Sequence, residues 1–92
     1  MKVPFELNAK VKGANGSLSP IILRISAPEF EEGRGHFCTI ECPFIREKEM
    51  KAFGVDENQA IELAFDLVRS LLAHKEAFIV DDDGNRIEVP WA

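Results

Sequence analysis

Apolar and polar residues alternate along the first part of the chain. Residues 5–11 place four apolar side chains on one face of an extended segment and polar side chains on the other, and residues 21–27 repeat the pattern. A period of two residues is typical of half-buried β-strands. Pro20 and Pro28 bracket the second run, which agrees with strand limits because proline cannot donate to a sheet. The two runs predict two strands with one buried face each.

The connection between these strands contains Asn15-Gly16, and the face pattern predicts its length. A two-residue loop would place Phe5 opposite Ser26 and mix the two faces. A three-residue loop of residues 14–16 keeps apolar positions opposite apolar positions, and a type I turn followed by a G1 bulge has this length. We therefore predict the three-residue loop. The resulting pairs are Phe5 with Ile25, Leu7 with Leu23, and Ala9 with Ile21, with Glu6 opposite Arg24 on the outer face.

The middle of the chain continues the strand pattern with interruptions. Residues 29–35 are acidic and carry glycine, which predicts a loop. A third strand is predicted over residues 36–45, with an edge position or an interruption at Pro43. The charged residues 46–49 predict a turn, and residues 50–53 predict a fourth strand.

Residues 54–74 carry the clearest signal, an amphipathic helix entered from Gly54. Asp56 is the predicted N-cap, and Gln59 is placed to close a capping box. An apolar stripe recurs at helical spacing. It comprises Ile61, Ala64, Phe65, Val68, Leu71 and Leu72. Such a helix is roughly 27 Å long, enough to cover a four-stranded sheet whose strands lie about 4.8 Å apart.

After the helix the pattern becomes extended again. A hairpin with Asp83-Gly84 as its loop would pair Val80 with Ile87 and Asp81 with Arg86. The sequence leaves open whether this hairpin joins the main sheet. We predict a single α+β domain over residues 1–92. It is a two-layer fold in which an antiparallel β-sheet, in the order ββββα with a C-terminal β extension, is covered by one long amphipathic helix.

Composition and charge narrow the classes of function. The formal net charge of −5 argues against nucleic acid, whose binding needs a basic stripe, and against an anionic membrane surface. The N-terminal residues lack the apolar run of a signal peptide, and no stretch approaches the roughly 20 apolar residues of a membrane span. Two cysteines without a secretory signal are typical of a reducing compartment, so we expect a cytoplasmic protein.

Candidate catalytic and metal-binding residues do not form a complete constellation. Cys38 and Cys42 share one predicted strand with Cα atoms about 13 Å apart, beyond disulfide reach. His36 and the distant His74 would add metal ligands, but paired ligands on turns are missing, and a cysteine nucleophile would lack an oxyanion hole. The acidic run 81–85 does not fit the register of a calcium loop. We predict no catalytic residue, no metal site and no cofactor.

One surface points to function. If the helix covers one face of the sheet, the opposite face carries several large apolar side chains, which is typical of a partner surface or a dimer contact. The alternative is that the tail strands or a bent sheet cover this face. The candidate interface residues are Ile22, Phe37, Ile45, Phe53 and Trp91.

Three blocks of the sequence resemble a family of small uncharacterised bacterial proteins of about this length. The blocks are Ile-Ser-Ala-Pro at 25–28, the strand from Phe37-Cys38 to Pro43-Phe44, and Phe53-Gly54-Val55-Asp56 followed by Gln59-Ala60-Ile61-Glu62-Leu63-Ala64. The family has a helix start of the form Gly-Val-Asp-x-x-Gln-Ala-Leu, and the resemblance implies a fold and no activity. Residues 54–64 also resemble, more weakly, the partner domain of HicB-type antitoxins, and this resemblance implies an antitoxin role.

These observations predict a small non-enzymatic protein-interaction module of an accessory, antitoxin-like or immunity-like kind. It would bind a protein partner, or a second copy of itself as a dimer, through the open sheet face. The alternative is a small-ligand or metal-binding domain, and an enzyme is disfavoured. Neither nucleic acid nor membrane is expected as a partner.

Overall fold

A computed structural model describes residues 3–87 of the chain. Within that range, six antiparallel strands form one sheet and are accompanied by one helix, which makes the fold α+β. The elements are β1 (Phe5–Lys12), β2 (Leu18–Ile25), β3 (Glu29–Glu31), β4 (Gly35–Cys42), β5 (Arg46–Gly54), α1 (Glu57–His74) and β6 (Phe78–Val80).

The first hairpin has the predicted register. Phe5 lies opposite Ile25, and the remaining pairs follow in step to the end of both strands. The amide N–H of Gly13 donates to the carbonyl oxygen of Ser17 over 3.0 Å, which closes a loop of three residues. Gly16 has a φ of 81°, a left-handed conformation that glycine adopts without steric cost. The prediction of a three-residue loop is confirmed.

The acidic segment after β2 was predicted as a loop, and that prediction is wrong over its first three residues, which form β3. Both β2 and β3 pair with one edge of β4, where Ile25 lies opposite Ile40 and Glu29 lies opposite Phe37. The register shifts by one residue between these pairs, so residues 26–28 form an irregular step in an otherwise continuous edge.

The turn between β4 and β5 lies earlier than predicted. β4 ends at Cys42, and the turn occupies residues 43–45, so the predicted interruption at Pro43 is confirmed. Residues 46–49 were predicted as the turn, and this is wrong because they extend β5. Charged side chains are well tolerated in a strand at the edge of a sheet, where they remain in water.

The strands lie side by side in the order β5, β4, β2 with β3, β1 and β6. β6 joins the sheet beside β1, with Val80 opposite Lys10. Val80 also forms a bridge with Arg86, and the predicted pairing with Ile87 is therefore wrong by one residue. The loop of this tail hairpin has three residues instead of two, because the N–H of Asp81 donates to the carbonyl oxygen of Asn85 over 2.8 Å.

The start of α1 is fixed by the predicted cap. The side-chain Oδ1 of Asp56 accepts the N–H of Gln59 over 2.7 Å, which satisfies a free donor of the first turn. The side-chain Oε1 of Gln59 accepts the N–H of Val55 over 2.6 Å. In a capping box this second bond usually goes to the N-cap residue itself, so here the box closes one residue earlier.

The buried side of α1 packs chiefly against β4 and β5. The rings of Phe5 in β1 and Phe65 in the helix also meet edge to face, with centroids 5.3 Å apart. The fully or nearly fully buried residues of this core cluster are Val11, Ile21, Leu23, Ile25, Cys38, Ile40, Cys42, Met50, Ala52, Ala60, Ala64, Phe65, Val68, Leu72, Ala77 and Ile79. Helix and strands therefore share a single core on one face of the sheet.

Candidate functional site

The sheet face opposite the core cluster is called the outer face here. Side chains alternate between the two faces along a strand, so Phe37 and Thr39 of β4 lie on the outer face while Cys38 and Ile40 lie in the core. The cross-strand pairing of Phe37 with Phe53 extends this face onto β5. The outer face is where the sequence predicts a partner surface.

Two of the predicted interface residues form an aromatic pair. The rings of Phe37 and Phe53 lie with centroids 5.3 Å apart and their planes tilted by 39°. The Arg34 guanidinium lies 4.2 Å from the centroid of Phe53, and Lys51 Nζ lies 4.8 Å from the centroid of Phe37. Such cation–π contacts stabilise a ring face that would otherwise meet water. The pair therefore carries a positive rim, and only 9% of Phe37 is exposed.

The other three predicted interface residues do not join this pair. Ile22 lies on the outer face of β2 and is 43% exposed, opposite Asn8. Ile45 lies in the turn before β5 and packs against the core cluster. Trp91 lies outside the described residues. Sequence reasoning missed Arg34 and Lys51; the alternation of β5 places Lys51 beside Phe53, whereas nothing in the sequence links Arg34 to that ring.

A row of charges separates Ile22 from the aromatic pair. Arg24 Nε lies 3.6 Å from Glu6 Oε2, and Arg24 Nη1 lies 3.8 Å from Glu41 Oε2. The predicted pairing of Glu6 with Arg24 is thereby confirmed. All three side chains are about half exposed, so these ion pairs contribute little to stability. They instead make the centre of the outer face polar.

A hollow of about 350 Å³ opens beside these charges. The Ser26 hydroxyl at its wall accepts the N–H of Thr39 over 2.8 Å and bridges the irregular step between β2 and β3. Side chains of both charges and two hydroxyl-bearing side chains therefore line one cavity. The lining residues are Pro4, Phe5, Glu6, Arg24, Ile25, Ser26, Thr39 and Glu41.

The cysteines lie in the core. Burial raises the pKa of the Cys38 thiol and that of the Cys42 thiol, although backbone N–H groups of Ile45 and Phe44 partly offset the rise at Cys42. A raised pKa keeps a thiol protonated and weakly nucleophilic near neutral pH. Among residues 3–87, no three His, Cys, Asp or Glu side chains gather in a way that could hold a metal ion.

Asp81, the first residue of the acidic run after β6, stabilises the turn of the tail hairpin. The carboxylate of Asp81 accepts the backbone N–H groups of Asp83 and Asn85, each over 2.9 Å. Aspartate often stabilises a turn in this way by bonding to backbone donors ahead of it. This carboxylate thus stabilises the conformation of the loop.

The described residues define a small α+β domain whose antiparallel sheet carries an aromatic pair on its outer face. The model of a family described as a domain of unknown function, DUF6968, matches residues 10–88, and the chain belongs to that family. The predicted membership of an uncharacterised family is thus confirmed, while the likeness to HicB-type antitoxins gains no support. No curated protein and no solved structure matches the chain. No helix within residues 3–87 has the length and apolarity needed to cross a bilayer.

Proposed function

We propose that this chain is a small non-enzymatic protein-interaction module that binds its partner through the outer face. In this proposal α1 covers the opposite face as a second layer and leaves the outer face to the partner. The observation that supports it best is the pair of Phe37 and Phe53, which lies apart from the core cluster. Aromatic rings and arginine are the residue types most enriched at the centres of protein interfaces.

The partner's chemistry follows from the rim of the pair. Arg34 and Lys51 place two cations over the rings, and Arg34 is also paired with Glu31 over 3.2 Å. A partner that offers an apolar side chain to Phe53 and a carboxylate to Lys51 would complement this surface. An acidic protein partner in the cytoplasm, of an accessory, antitoxin-like or immunity-like system, fits this description.

The absence of catalysis is part of the proposal. The two cysteines are the strongest nucleophiles of the chain, and burial raises the pKa of both thiols. A catalytic cysteine instead needs a lowered pKa and access to its substrate. The burial of Cys38 and Cys42 therefore favours a packing role for both.

Affinity capture from a lysate of the source cells tests the interaction. Wild-type protein and the variants Phe53→Ala and Arg34→Ala are immobilised, and retained proteins are quantified by mass spectrometry. We expect a protein that wild type retains and that both variants lose. Phe37→Asp is unsuitable because it would bury a charge.

Phe30→Ala is the matched control. Phe30 is 65% exposed and lies opposite His36. Because His36 and Phe37 point to opposite faces of β4, Phe30 faces away from the outer face. The variant Phe30→Ala removes a phenyl ring from a different surface and should retain the partner at the wild-type level. Equal retention of every captured protein by wild type, Phe53→Ala and Arg34→Ala would refute the proposal.

A second candidate function rests on the hollow beside Arg24. Its two carboxylates, one guanidinium and two hydroxyl-bearing side chains suit a small ligand that carries both charges, such as an amino acid. Thermal unfolding in the presence of individual amino acids tests this idea. A stabilising ligand should lose its effect in Arg24→Ala and keep it in Arg69→Ala, which changes an exposed arginine on α1.

A further inference from the structure

The free edge of β5 lies beside an apolar row on α1. Among the described strands β5 pairs with β4 alone, so its other edge has no strand beside it. Leu63, Leu67 and Leu71 recur every four residues and therefore lie on one side of the helix. Two hollows, of about 320 and 400 Å³, separate this leucine row from β5. Leu67 lines both hollows, so they lie next to each other along the edge.

We propose that a second copy of this chain occupies this edge. The two β5 strands would pair antiparallel about a two-fold axis that passes through Met50, extending one sheet across both copies. Symmetric self-pairing is the commonest way for a homodimer to close, and an open strand edge offers unpaired backbone donors and acceptors for it. This inference goes beyond the proposed function because it uses the edge of the sheet and a defined partner.

Charge complementarity selects the register. With Met50 opposite Met50, Glu49 of each copy lies opposite Lys51 of the other, and symmetry makes this favourable pair occur twice. A shift by two residues in one direction would place Glu49 opposite Glu49, and a shift in the other direction would place Lys51 opposite Lys51. A shift by one residue would put the helices on opposite faces. Only the register centred on Met50 satisfies both charges.

The same register brings the leucine rows together. The residues that line the two hollows show that α1 runs back along β5, with Leu63 beside Phe53 and Leu71 beside Met50. The level of the axis therefore lies between Leu67 and Leu71. Around an axis at Met50, Leu67 of each copy would meet Leu71 of the other. Leu67 and Leu71 would then be buried between the two copies.

The spacing of the elements is compatible with this contact. Adjacent strands lie about 4.8 Å apart, so helices above the β4–β5 pair of each copy would be separated by about two strand spacings, roughly 10 Å. Packed helices have axes about 8–10 Å apart. Strand pairing and helix packing can therefore form together at this edge.

Charge reversal at the edge tests the proposal by analytical ultracentrifugation over a range of protein concentrations. Wild type should dimerise. Glu49→Lys and Lys51→Glu each replace two attractive pairs by two repulsive pairs, so each should raise the dimer dissociation constant about tenfold or more. The double variant exchanges the two charges and should dimerise like wild type. A mixture of the two single variants should form a heterodimer, because every opposed pair then carries opposite charges.

Glu47→Lys is the matched control. It makes the same change of charge on the same strand, but Glu47 lies in the irregular part of β5 between the pairs Ile40–Met50 and Cys42–Arg46 and would not face Lys51 of the second copy, so dimerisation should be unaffected. A monomeric wild type, equal weakening by Glu47→Lys and Glu49→Lys, or failure of the double variant to recover would overturn the proposal. Arg34→Ala, which tests the outer face, should leave this dimer intact. The two proposals can therefore fail separately.

Discussion

The backbone of Gly54 lies directly against the first turn of α1, so that a Cβ atom on Gly54 would lie 2.5 Å from the amide nitrogen of Ala60. The same Cβ would lie 2.8 Å from the carbonyl carbon of Gln59. Gly54 is also the last residue of β5, where it lies opposite His36. The helix can follow the strand so closely because this one position has no side chain. The contact fixes where the helix begins on the sheet.

Gly54→Ala should therefore destabilise the fold strongly. The added methyl group meets backbone atoms, which cannot rotate away as a flexible side chain would, so the helix start or the end of β5 must shift. We expect a loss of about 2–4 kcal/mol in the free energy of unfolding, as for overpacking with backbone displacement. Urea unfolding followed by circular dichroism measures it.

Gly13→Ala is the control for that loss. A Cβ on Gly13 would have its nearest neighbour at 3.6 Å, an ordinary van der Waals distance. The change should alter the free energy of unfolding by no more than about 0.5 kcal/mol. A comparable loss at both glycines would mean that the close approach to α1 does not decide the effect.

Ser26→Ala should cost more than its half-buried position suggests. The hydroxyl of Ser26 accepts the backbone N–H of Thr39. Thr39 lies in the central strand β4, at the place where this strand faces the irregular step between β2 and β3. Alanine would leave that donor without its partner, which costs about 1–3 kcal/mol for a buried group. Thermal unfolding should show the loss, and the amide of Thr39 should exchange with deuterium faster. Ser70→Ala, on the exposed side of α1, should change stability little.

Glu76→Gly should stabilise the protein. Glu76 follows the helix with a φ of 54°, a left-handed conformation that costs a residue with a side chain about 1–2 kcal/mol. Its N–H donates to the carbonyl oxygen of Ala73, and the N–H of Ala77 donates to that of Leu72, which is the Schellman pattern that glycine normally completes. We expect a gain of about 0.5–1 kcal/mol after the extra chain entropy of glycine is counted.

The control for Glu76→Gly is Ala73→Gly, one turn earlier in the same helix. Ala73 lies inside α1, where glycine costs up to about 1 kcal/mol relative to alanine. The two substitutions should therefore move the melting temperature in opposite directions. A loss of stability in Glu76→Gly would show that the side chain of Glu76 matters more than its backbone conformation.

The two hairpins show what the sequence can and cannot predict. For residues 14–16 the alternation of both strands excluded a two-residue loop, and the register was correct to the residue. The tail hairpin has the same three-residue geometry, with Gly84 at a φ of 85°. Its strands are too short to show a face pattern, so the prediction of its loop depended on the Asp83-Gly84 pair alone. The predicted pairing is therefore wrong by one residue. Long alternating strands, rather than turn residues, carry the register.

The candidate site was predictable to a smaller extent. Parity along the strands placed Phe37 and Phe53 on one face, and their contact follows from the register of β4 and β5. Ile45 does not lie on this face as predicted, because it belongs to the turn of residues 43–45 that precedes β5. The charged residues 46–49 had indicated a turn later in the chain. The position of Arg34 over Phe53 depends on a loop conformation that has no periodic signal. The face on which a strand residue lies was thus accessible from the sequence, and loop contacts were not.

Replacing both cysteines should change how stability depends on pH. Burial raises the pKa of Cys38 and Cys42 in the folded chain, whereas the unfolded thiols ionise near pH 8.5. Above that pH the unfolded chain has released protons that the folded chain still holds, so the free energy of unfolding falls as pH rises. Below it, both states are protonated and the thiols contribute no pH dependence. Urea unfolding at a series of alkaline pH values measures the slope.

The variant Cys38→Ala with Cys42→Ala isolates this effect from the lysines that titrate in the same range. It will be less stable at every pH because two core side chains are shortened, but its free energy of unfolding should fall less steeply above about pH 8.5. Ser70→Ala, which removes an exposed hydroxyl from α1, should keep the full slope. If the cysteine-free variant and wild type lose stability in parallel, the thiols must ionise in the folded chain as readily as in the unfolded one, and their burial would not shield them from solvent.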